Sequence, residues 1–535
     1  MSCAFDLLLR NAVIFDGTGA ARHHGDIALS GGVIAAVGSL EADDAATTVD
    51  LRGRAVAPGF IDVHTHDDRL LLADPSMAPK ASQGVTTVVV GNCGISLAPL
   101  GDRPAVPPIN LVADGDAQRF DSFADYFARL AIEPAAVNCA ALVGHTTLRV
   151  VTMADLGRPA DAGEIARMQA LVEEALAAGA IGVSTGTFYA PAAAATADEI
   201  RQVCAPLAGT GALIASHIRD EGARVLESMT EAMSVARALG VRQVISHHKV
   251  VGKANFGRSR ETLALLDDAR IDTDVCLDCY PYPASSTVLR ADSVAQAGRT
   301  LVAWSKSRPE AAGRYLDELA AERDTSIDAL IAELQPAGAI YFAMDEADVE
   351  RILAYPETMI GSDGLPHDVF PHPRLWGAFP RVLGHYARSR GLFSLETAIH
   401  KMTGLPAARF GLVGRGVIAP GAAADLVVFD PERIADTATF AQPKQPAAGI
   451  DTVYVNGVAV WRDGASTGAR SRSSRVQSAS VRIACSVSSL PSRSATKSGN
   501  SARCRVSSRS AAAPRISSSS AMPTASRARR SSRRK

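Results

Sequence analysis

Side chains that can bind a metal ion follow the ends of several apolar runs in this 535-residue chain. His64 and His66 are separated by one residue, and on a β-strand such residues point to the same side, so their imidazoles would converge. The other candidates at the ends of runs are Cys93, His145, His217, His247, His248 and Asp363. Histidine, cysteine and carboxylate groups are the ligands that zinc prefers. A single histidine is commonly structural, but this recurrence predicts a metal site.

Several of these candidates also have a structural interpretation. His247 and His248 are adjacent, so on a strand only one of them can point inward, and we choose His247 because Ile245 would share its face. His145 could be a ligand or a buried structural residue. Cys93 could be a small buried apolar residue, although its Gly-Asn-Cys-Gly context at the end of a strand favours a ligand.

The apolar runs alternate with helical stretches along the middle of the chain. There are eight runs: GFIDVHTH, VTTVVVGNCG, NCAALVGH, GAIGVSTG, GALIASHI, VRQVISHHK, IDTDVCLDCY and ETMIGSDG. Near-continuous apolar strands that alternate with helices indicate a buried parallel sheet. Eight such units predict an α/β fold with a closed (β/α)8 barrel over residues 57–413, whose chemistry lies at the carboxyl ends of the strands.

The segments on either side of the barrel have a different pattern. Residues 1–56 and 414–465 alternate between apolar and polar residues as short antiparallel strands do, with a turn signal at Asn456-Gly457. We expect both ends to form one small β-sandwich domain. Residues 285–345 separate the last two barrel strands and contain the run EAAGRYLDELAAERDTSIDALIAELQ, which predicts a helical insertion.

The composition is that of a large folded protein without a membrane span. The chain is 47% hydrophobic, but no run of about 18 apolar residues occurs, which argues against a membrane helix. The first residues, MSCAFDLLLRNAVIFDG, resemble a strand and lack the basic start of a signal peptide. Eight cysteines in a chain of this length do not suggest a disulfide scaffold. We therefore expect a cytoplasmic protein with free thiols.

The net charge of −1 averages two unlike parts of the chain. From Gly464 onward there are 14 Arg and 2 Lys but no acidic residue, which leaves 39 basic and 56 acidic residues in 1–463. Residues 466–535 are rich in Ser, Arg and Ala and show no apolar periodicity, so we expect them to be disordered. A frameshift in a GC-rich gene could produce this composition. The competing interpretation is an arm that binds nucleic acid.

A set of motifs resembles the N-acyl-D-amino-acid deacylases, or D-aminoacylases, of the amidohydrolase superfamily. The resemblance covers about residues 5–465 and is carried by PGFIDVHTHDD, GNCGIS, SHIRDEG, SHHKVVGKANFG, IGSDG and GVIAPGAAADLVVFDP. It implies a barrel, a small β domain and a helical insertion. It also implies one zinc ion bound tightly by Cys93, His217 and His247. A second, weaker metal position would be formed by His64, His66 and Asp363.

The resemblance further implies hydrolysis of an N-acyl-D-amino acid to a carboxylate and a free D-amino acid. Asp363 would take a proton from water and return it to the leaving nitrogen. The α-carboxylate of this small-molecule substrate would be bound by Lys249, Tyr280 and Arg374, with Ser286 and Tyr189 nearby. The fourth run is followed by TFY and contains no lysine. The hydantoinases and dihydroorotases use a carboxylated lysine there as a metal bridge, and the resemblance implies that Cys93 takes that place, as in the deacylases.

Other interpretations of these residues and of the chain are open at this point. Asp363 could simply end a strand, Lys249 and Arg374 could be surface charges, and we interpret His367 and His372 as loop residues. The chain could be another metal-dependent hydrolase of cyclic amides, which the missing lysine argues against. It could also be a non-catalytic scaffold, although such a protein would not need to retain the predicted ligands. A nucleic-acid-binding protein is supported by the basic tail alone, and we expect neither a nucleic-acid nor a membrane partner.

Overall fold

The computed structural model describes residues 4–41, 45–115 and 118–470. Its strands are, in chain order, β1 (Phe5–Ile14), β2 (His23–Ser30), β3 (Val33–Gly38), β4 (Ala45–Asp50), β5 (Ala55–Pro58), β6 (Phe60–Asp62), β7 (Val85–Val90), β8 (Asn138–Ala141), β9 (Val143–Gly144), β10 (Gly182–Gly186), β11 (Leu213–His217), β12 (Arg242–Ile245), β13 (Val275–Cys279), β14 (Ser285–Val288), β15 (Thr300–Ser305), β16 (Ala337–Tyr341), β17 (Thr358–Ile360), β18 (Leu426–Phe429), β19 (Ile450–Val455), β20 (Val458–Arg462) and β21 (Ala465–Ser466).

Helices occupy most of the connections between these strands. The α-helices are α1 (Leu70–Ala73), α2 (Ala78–Ala81), α3 (Phe123–Ile132), α4 (His145–Thr152), α5 (Ala162–Ala178), α6 (Ala190–Ala193), α7 (Ala197–Val203), α8 (Val225–Leu239), α9 (Ser259–Ala269), α10 (Ala291–Gln296), α11 (Leu316–Glu322), α12 (Ile327–Leu334), α13 (Glu346–Ala354), α14 (Arg374–Arg381), α15 (Leu395–Met402) and α16 (Gly404–Phe410). A π-helical segment, Val382–Ser389, continues α14. No helix in the described ranges is long and apolar enough to span a membrane.

Eight parallel strands close into the predicted barrel. The third barrel strand consists of β8 and β9, which are joined at Leu142, and the backbone N–H of Leu142 donates to Val90 O at 3.0 Å. The barrel closes between its first and last strands, where Thr65 pairs with Gly364 and Asp363 N donates to His64 O at 2.8 Å. All eight runs predicted from the sequence are therefore barrel strands. Their carboxyl ends meet at one face of the barrel.

The barrel strands separate two apolar layers. Alternate residues, such as Ile61, Val89, Leu213 and Val244, fill the barrel interior. Their neighbours along the chain, such as Val88, pack outward against the helices. This two-sided burial explains why the strands are near-continuous apolar runs.

The helix predicted from DAGEIARMQALVEEALAAG begins and ends where its sequence indicates. Asp161 caps the first turn of α5 and accepts from Glu164 N, and the Glu164 side chain accepts from Asp161 N in return. This capping box satisfies two amide groups that the helix leaves free. At the other end Gly179 has a φ of 108°, which glycine adopts without steric cost.

Strands from both ends of the described chain form one nine-stranded sheet. Its order is β21-β20-β19-β18-β5-β1-β2-β3, with β4 paired to β1. Residues of β1, β2, β5 and β18 pack in an apolar cluster of their own, separate from the barrel interior. The two terminal segments expected to form one small β-sandwich domain thus share a single hydrogen-bonded sheet.

The insertion between the last two barrel strands contains the expected helices, but it also contains three strands that the sequence analysis did not predict. Within residues 285–345, β14 and β15 pair antiparallel to the two edges of β16. Helices α10, α11 and α12 pack with them around their own apolar cluster. The helical pattern was correct for the middle of the insertion. The strands were missed because each has at most six residues, which is too short for a clear alternation.

The end of the described chain also corrects one boundary. Ser466 pairs with Trp461, and Thr467 N donates to Val460 O at 3.0 Å. The disorder expected from residue 466 is therefore wrong for these first residues, which continue the sheet. Residues 471–535, where the rest of that expectation falls, lie outside the described residues.

Gly59 connects the terminal sheet to the barrel, and it has no room for a side chain. A Cβ at Gly59 would lie 2.2 Å from the side chain of Thr86, which is fully buried in β7. We expect Gly59→Ala to lower the free energy of unfolding by about 1–3 kcal/mol, as for other overpacked cores. Urea unfolding followed by circular dichroism measures this change. Gly163→Ala, on the exposed side of α5, is the matched control, and an equal loss in both variants would contradict the steric explanation.

Candidate metal centre

Six of the predicted ligands converge at the carboxyl ends of the barrel strands. Cys93 follows β7, His217 ends β11 and His247 follows β12. The remaining three are His64 and His66 after β6 and Asp363 after β17. All six are buried, and they form two overlapping groups whose ligand atoms lie within 4.8 Å of one another.

The first group, Cys93, His217 and His247, has the spacing of a tetrahedral metal site. The Sγ of Cys93 lies 3.3 Å from His247 Nε2, and His247 Nε2 lies 3.0 Å from His217 Nδ1. Ligand atoms about 2.0–2.3 Å from a tetrahedral zinc ion lie roughly 3.3–3.7 Å from one another. The residues present therefore fit zinc in ligand type; the sulfur–nitrogen separation lies in this range and the nitrogen–nitrogen separation is about 0.3 Å shorter.

The second group contains His64, His66 and Asp363, together with Cys93. His66 Nε2 lies 3.2 Å from Asp363 Oδ1, and His64 Nε2 lies 3.6 Å from the same oxygen. Cys93 Sγ is also 3.2 Å from His64 Nε2. The thiol sulfur is thus within reach of both groups, which is the position that the resemblance implies for Cys93 in place of a bridging lysine.

Three of these six residues have a left-handed backbone that non-glycine residues rarely adopt. The φ angle is 54° at Cys93, 37° at His247 and 48° at Asp363. Each lies where a barrel strand has just ended, so the turn aims its side chain into the barrel mouth. Such strained residues concentrate at functional sites, where the surrounding structure holds them in place.

His247 rather than His248 lies in the cluster, but the reason given from the sequence is wrong. Ile245 packs in the outer layer against the helices, so it does not share the inward face. The strand ends at Ile245, and the left-handed turn at His247 reverses the expected alternation. The ring of His248 bonds Thr262 Oγ1 at 2.8 Å.

His145 is a structural residue in this fold and lies in neither group of ligands. It begins α4, and its Nε2 lies 3.3 Å from Glu199 Oε1. Glu199 also pairs with the fully buried Arg149. His372 likewise lies outside both groups and packs edge-on against the Tyr282 ring. His367 is also absent from both groups among the described residues, consistent with its interpretation as a loop residue.

The two acidic groups of the cluster, Cys93 and Asp363, are held in the anionic forms that suit a metal cation. Burial by itself raises the pKa of the Cys93 thiol. The positive charges on His64 and His247 lower that pKa by more, so it lies well below its usual range. Burial also raises the pKa of Asp363, yet Arg374 and His66 lower it well below the usual value. A thiolate and a carboxylate are the forms in which these two groups bind zinc. The same anions raise the pKa of His64 and His66 against the lowering effect of burial, so zinc binding would release protons from these imidazoles.

Two carboxylates that the sequence interpretation missed orient the ligands. Asp278 Oδ1 accepts from His247 N at 2.9 Å and lies 3.4 Å from His64 Nδ1. Glu221 Oε1 lies 3.1 Å from His247 Nδ1. Such partners fix which ring nitrogen of a histidine faces the metal. Asp278 could have been noticed as a charge inside an apolar strand, and Glu221 as the acid four residues after His217.

The candidate substrate residues surround the cluster. Lys249 Nζ donates to Glu221 Oε1 at 2.6 Å and lies 2.9 Å from His247 Nδ1. Arg374 Nη1 lies 2.9 Å from Asp363 Oδ2, and its guanidinium stacks over the Tyr280 ring at 4.4 Å. Neither cation is a surface charge, since Lys249 is 4% and Arg374 0% exposed.

A cavity of about 220 Å³ opens at the cluster. Tyr189, Lys249 and Ser286 line it together with Cys93 and other cluster residues. Tyr280 and Arg374 are not among its lining residues in the described structure and support it from the interior. A small molecule in this cavity would contact the ligand cluster directly.

Known proteins are similar to this chain in both sequence and fold. The model of the amidohydrolase family matches residues 47–269 and 293–461. The chain belongs to the amidohydrolase family.

Similar members of the family are deacylases. The chain is 58% identical to D-aminoacylase from Alcaligenes xylosoxydans xylosoxydans over 464 residues, which cover 87% of this chain and 96% of that protein. N-acyl-D-aspartate deacylase from the same organism is 54% identical, with 87% and 93% covered. A solved structure of N-acyl-D-glutamate deacylase from Bordetella bronchiseptica, complexed with zinc and a phosphonate inhibitor, is 44% identical with a TM-score of 0.83, covering 86% of this chain and 97% of that one.

These likenesses confirm the resemblance to the N-acyl-D-amino-acid deacylases and the barrel fold of this amidohydrolase. They also support a metal cofactor, since a zinc-complexed relative shares the fold and the described residues contain two suitable ligand groups. The alternative of a non-catalytic scaffold has no support among these relatives.

Cys93→Ala tests the metal centre of this amidohydrolase. Removing the sulfur that is close to both ligand groups should reduce the bound metal to a small fraction of one ion per chain, measured by elemental analysis. Cys204→Ala is the matched control, because Cys204 is also buried and burial alone raises its pKa to about 12, so it stays a thiol. Full metal content in the Cys93 variant would remove this residue from the site.

Proposed function

We propose that the protein hydrolyses N-acyl-D-amino acids to a carboxylate and a free D-amino acid, with zinc held tightly by Cys93, His217 and His247. The observation that carries the proposal is that Cys93 lies close to both ligand groups while the fourth barrel strand, β10, contains no lysine, in a chain highly similar to three named deacylases of D-amino acids. Bound zinc would act as a Lewis acid toward the amide carbonyl and make hydroxide available near neutral pH. His64, His66 and Asp363 would form the second, weaker position.

Asp363 is assigned the proton transfers. Its Oδ1 faces His64 and His66, and its Oδ2 is held 2.9 Å from Arg374 Nη1. Its low pKa keeps it a carboxylate at neutral pH, ready to accept a proton from the attacking water. Returning that proton to the leaving nitrogen is required because a bare amide anion is a poor leaving group.

The α-carboxylate of the substrate is assigned to Lys249, Tyr280 and Arg374, with Ser286 and Tyr189 nearby. One donor supports this assignment, because Ser286 Oγ belongs to a residue that lines the cavity and is buried without a hydrogen-bond partner among the described atoms. An unsatisfied buried donor is costly, so an incoming carboxylate would relieve that cost. The bidentate geometry of arginine suits a carboxylate.

The direct test is a panel of N-acetyl-D- and N-acetyl-L-amino acids, with zinc measured on the purified protein. We expect hydrolysis of D substrates, weak or no hydrolysis of L substrates, and stoichiometric zinc. Hydrolysis of a cyclic amide such as dihydrouracil without hydrolysis of any N-acetyl-D-amino acid would contradict the proposal. Cytoplasmic location remains a prediction.

Asp363→Asn should lower kcat by about 10²- to 10⁴-fold, because general base catalysis contributes this much. The tight zinc should stay, since Asp363 does not belong to the first ligand group. Asp368→Asn is the control, because Asp368 is a buried carboxyl of the same loop that belongs to neither ligand group among the described residues, and burial raises its pKa to about 7, so it carries only part of a charge at neutral pH. A loss of less than about tenfold at Asp363 would exclude it as the base.

A further inference from the structure

The insertion places a cation beside the outer part of the cavity. The ring of Phe188 stacks on the ligand His217, with centroids 5.1 Å apart and 23° between the planes. The guanidinium of Arg290 lies over the Phe188 ring, 4.6 Å from its centroid. The order His217, Phe188, Arg290 leads outward from the ligand cluster. Arg290 and Phe188 both line the cavity.

Arg290 is held in this position by its neighbours. Its backbone N–H donates to the Tyr341 hydroxyl at 2.9 Å, and that hydroxyl donates to Val288 O at 2.7 Å. Its side chain faces Asp292 in a bidentate arrangement, with Nε donating to Oδ1 at 2.9 Å and Nη2 donating to Oδ2. Arginine offers its donors as a fixed fork, and here a single carboxylate occupies two of them.

The remaining cations around the cavity are already engaged or assigned. Lys249 pairs with Glu221 and is assigned, with Arg374, to the α-carboxylate of the substrate. Arg219 pairs with Glu231 and also donates to the backbone oxygens of two residues of the neighbouring loop. A second carboxylate in the substrate would therefore find Arg290 as its partner, but Asp292 already takes the Nε–Nη2 edge of the guanidinium and offsets its charge.

The same cavity offers apolar contacts. Leu111, Phe188, Val251 and Leu365 lie among its lining residues. The acidic side chains in the lining are Asp220, Glu221, Asp292 and Asp363. Among the described residues, these surroundings offer no unpaired cation to a second carboxylate. Such a carboxylate would lose more hydration free energy on leaving water than it gains from contacts in the cavity.

We propose that this enzyme is selective for N-acyl-D-amino acids with neutral, apolar side chains, and that Asp292 sets this selectivity by occupying Arg290. The inference rests on the proposed deacylase function and specifies its substrate class. Asp292 is a specificity-determining residue that acts through Arg290. Neutralising Asp292 frees the guanidinium fork for the second carboxylate of an acidic substrate.

The experiment compares kcat/KM for N-acetyl-D-leucine with the values for N-acetyl-D-aspartate and N-acetyl-D-glutamate, using the zinc-loaded full chain. The wild-type enzyme should prefer the leucine derivative by about tenfold or more. In Asp292→Asn the ratio of acidic to neutral kcat/KM should rise by about tenfold, which corresponds to one charge-assisted hydrogen bond. In Arg290→Gln/Asp292→Asn this gain should disappear.

Asp317→Asn is the control for general charge effects. Asp317 pairs with Arg299 on the exposed side of the insertion and does not line the cavity in the described structure. Its replacement removes the same charge and should leave the ratio within about twofold of wild type.

Each other outcome overturns the inference. A wild-type preference for an acidic substrate excludes selectivity for neutral side chains while leaving the deacylase function intact. An unchanged ratio in Asp292→Asn, or an equal rise in Asp317→Asn or in the double variant, excludes the role of Asp292. Failure to hydrolyse any N-acetyl-D-amino acid contradicts the proposed function itself.

Discussion

The chain must hold one thiol, four imidazoles and one carboxylate together in a volume almost closed to water. Each group would be better solvated outside, and burying so many titratable groups is unfavourable unless they are paired. The ligand atoms nevertheless lie within 4.8 Å of one another in each group. A bound cation would convert this unfavourable arrangement into a favourable one, which is why metal binding and the local structure of this site are coupled.

The barrel provides the rigidity that this arrangement needs. Its interior is packed with alternate apolar residues of the strands, so the strand ends cannot shift to separate the ligands. Left-handed residues after β7, β12 and β17 then turn Cys93, His247 and Asp363 into the mouth. Asp278 and Glu221 hold the imidazoles from behind, and the insertion completes the cavity wall with Arg290 and Asp292.

The repeating parts of this molecule could be predicted from the sequence, and the parts set by tertiary contacts could not. All eight barrel strands were visible because each is buried on both faces and therefore almost purely apolar. The clustering of six candidate ligands followed from their positions at strand ends. By contrast, the inward direction of His247 depends on a backbone turn that no periodicity reveals. The pairing of Arg374 with Asp363 joins the last barrel strand to the helix after it, and no sequence spacing encodes it.

The most direct measurement is a zinc titration of the metal-depleted protein, followed by the rate of N-acetyl-D-leucine hydrolysis. We expect almost no hydrolysis without metal, and a rate that rises with zinc until about one ion per chain is bound, as the cysteine-containing ligand group suits one tetrahedral ion. Full activity in the metal-free protein, or no hydrolysis of the D substrate after zinc has bound, would contradict the assignment of this cluster as the catalytic centre of a deacylase.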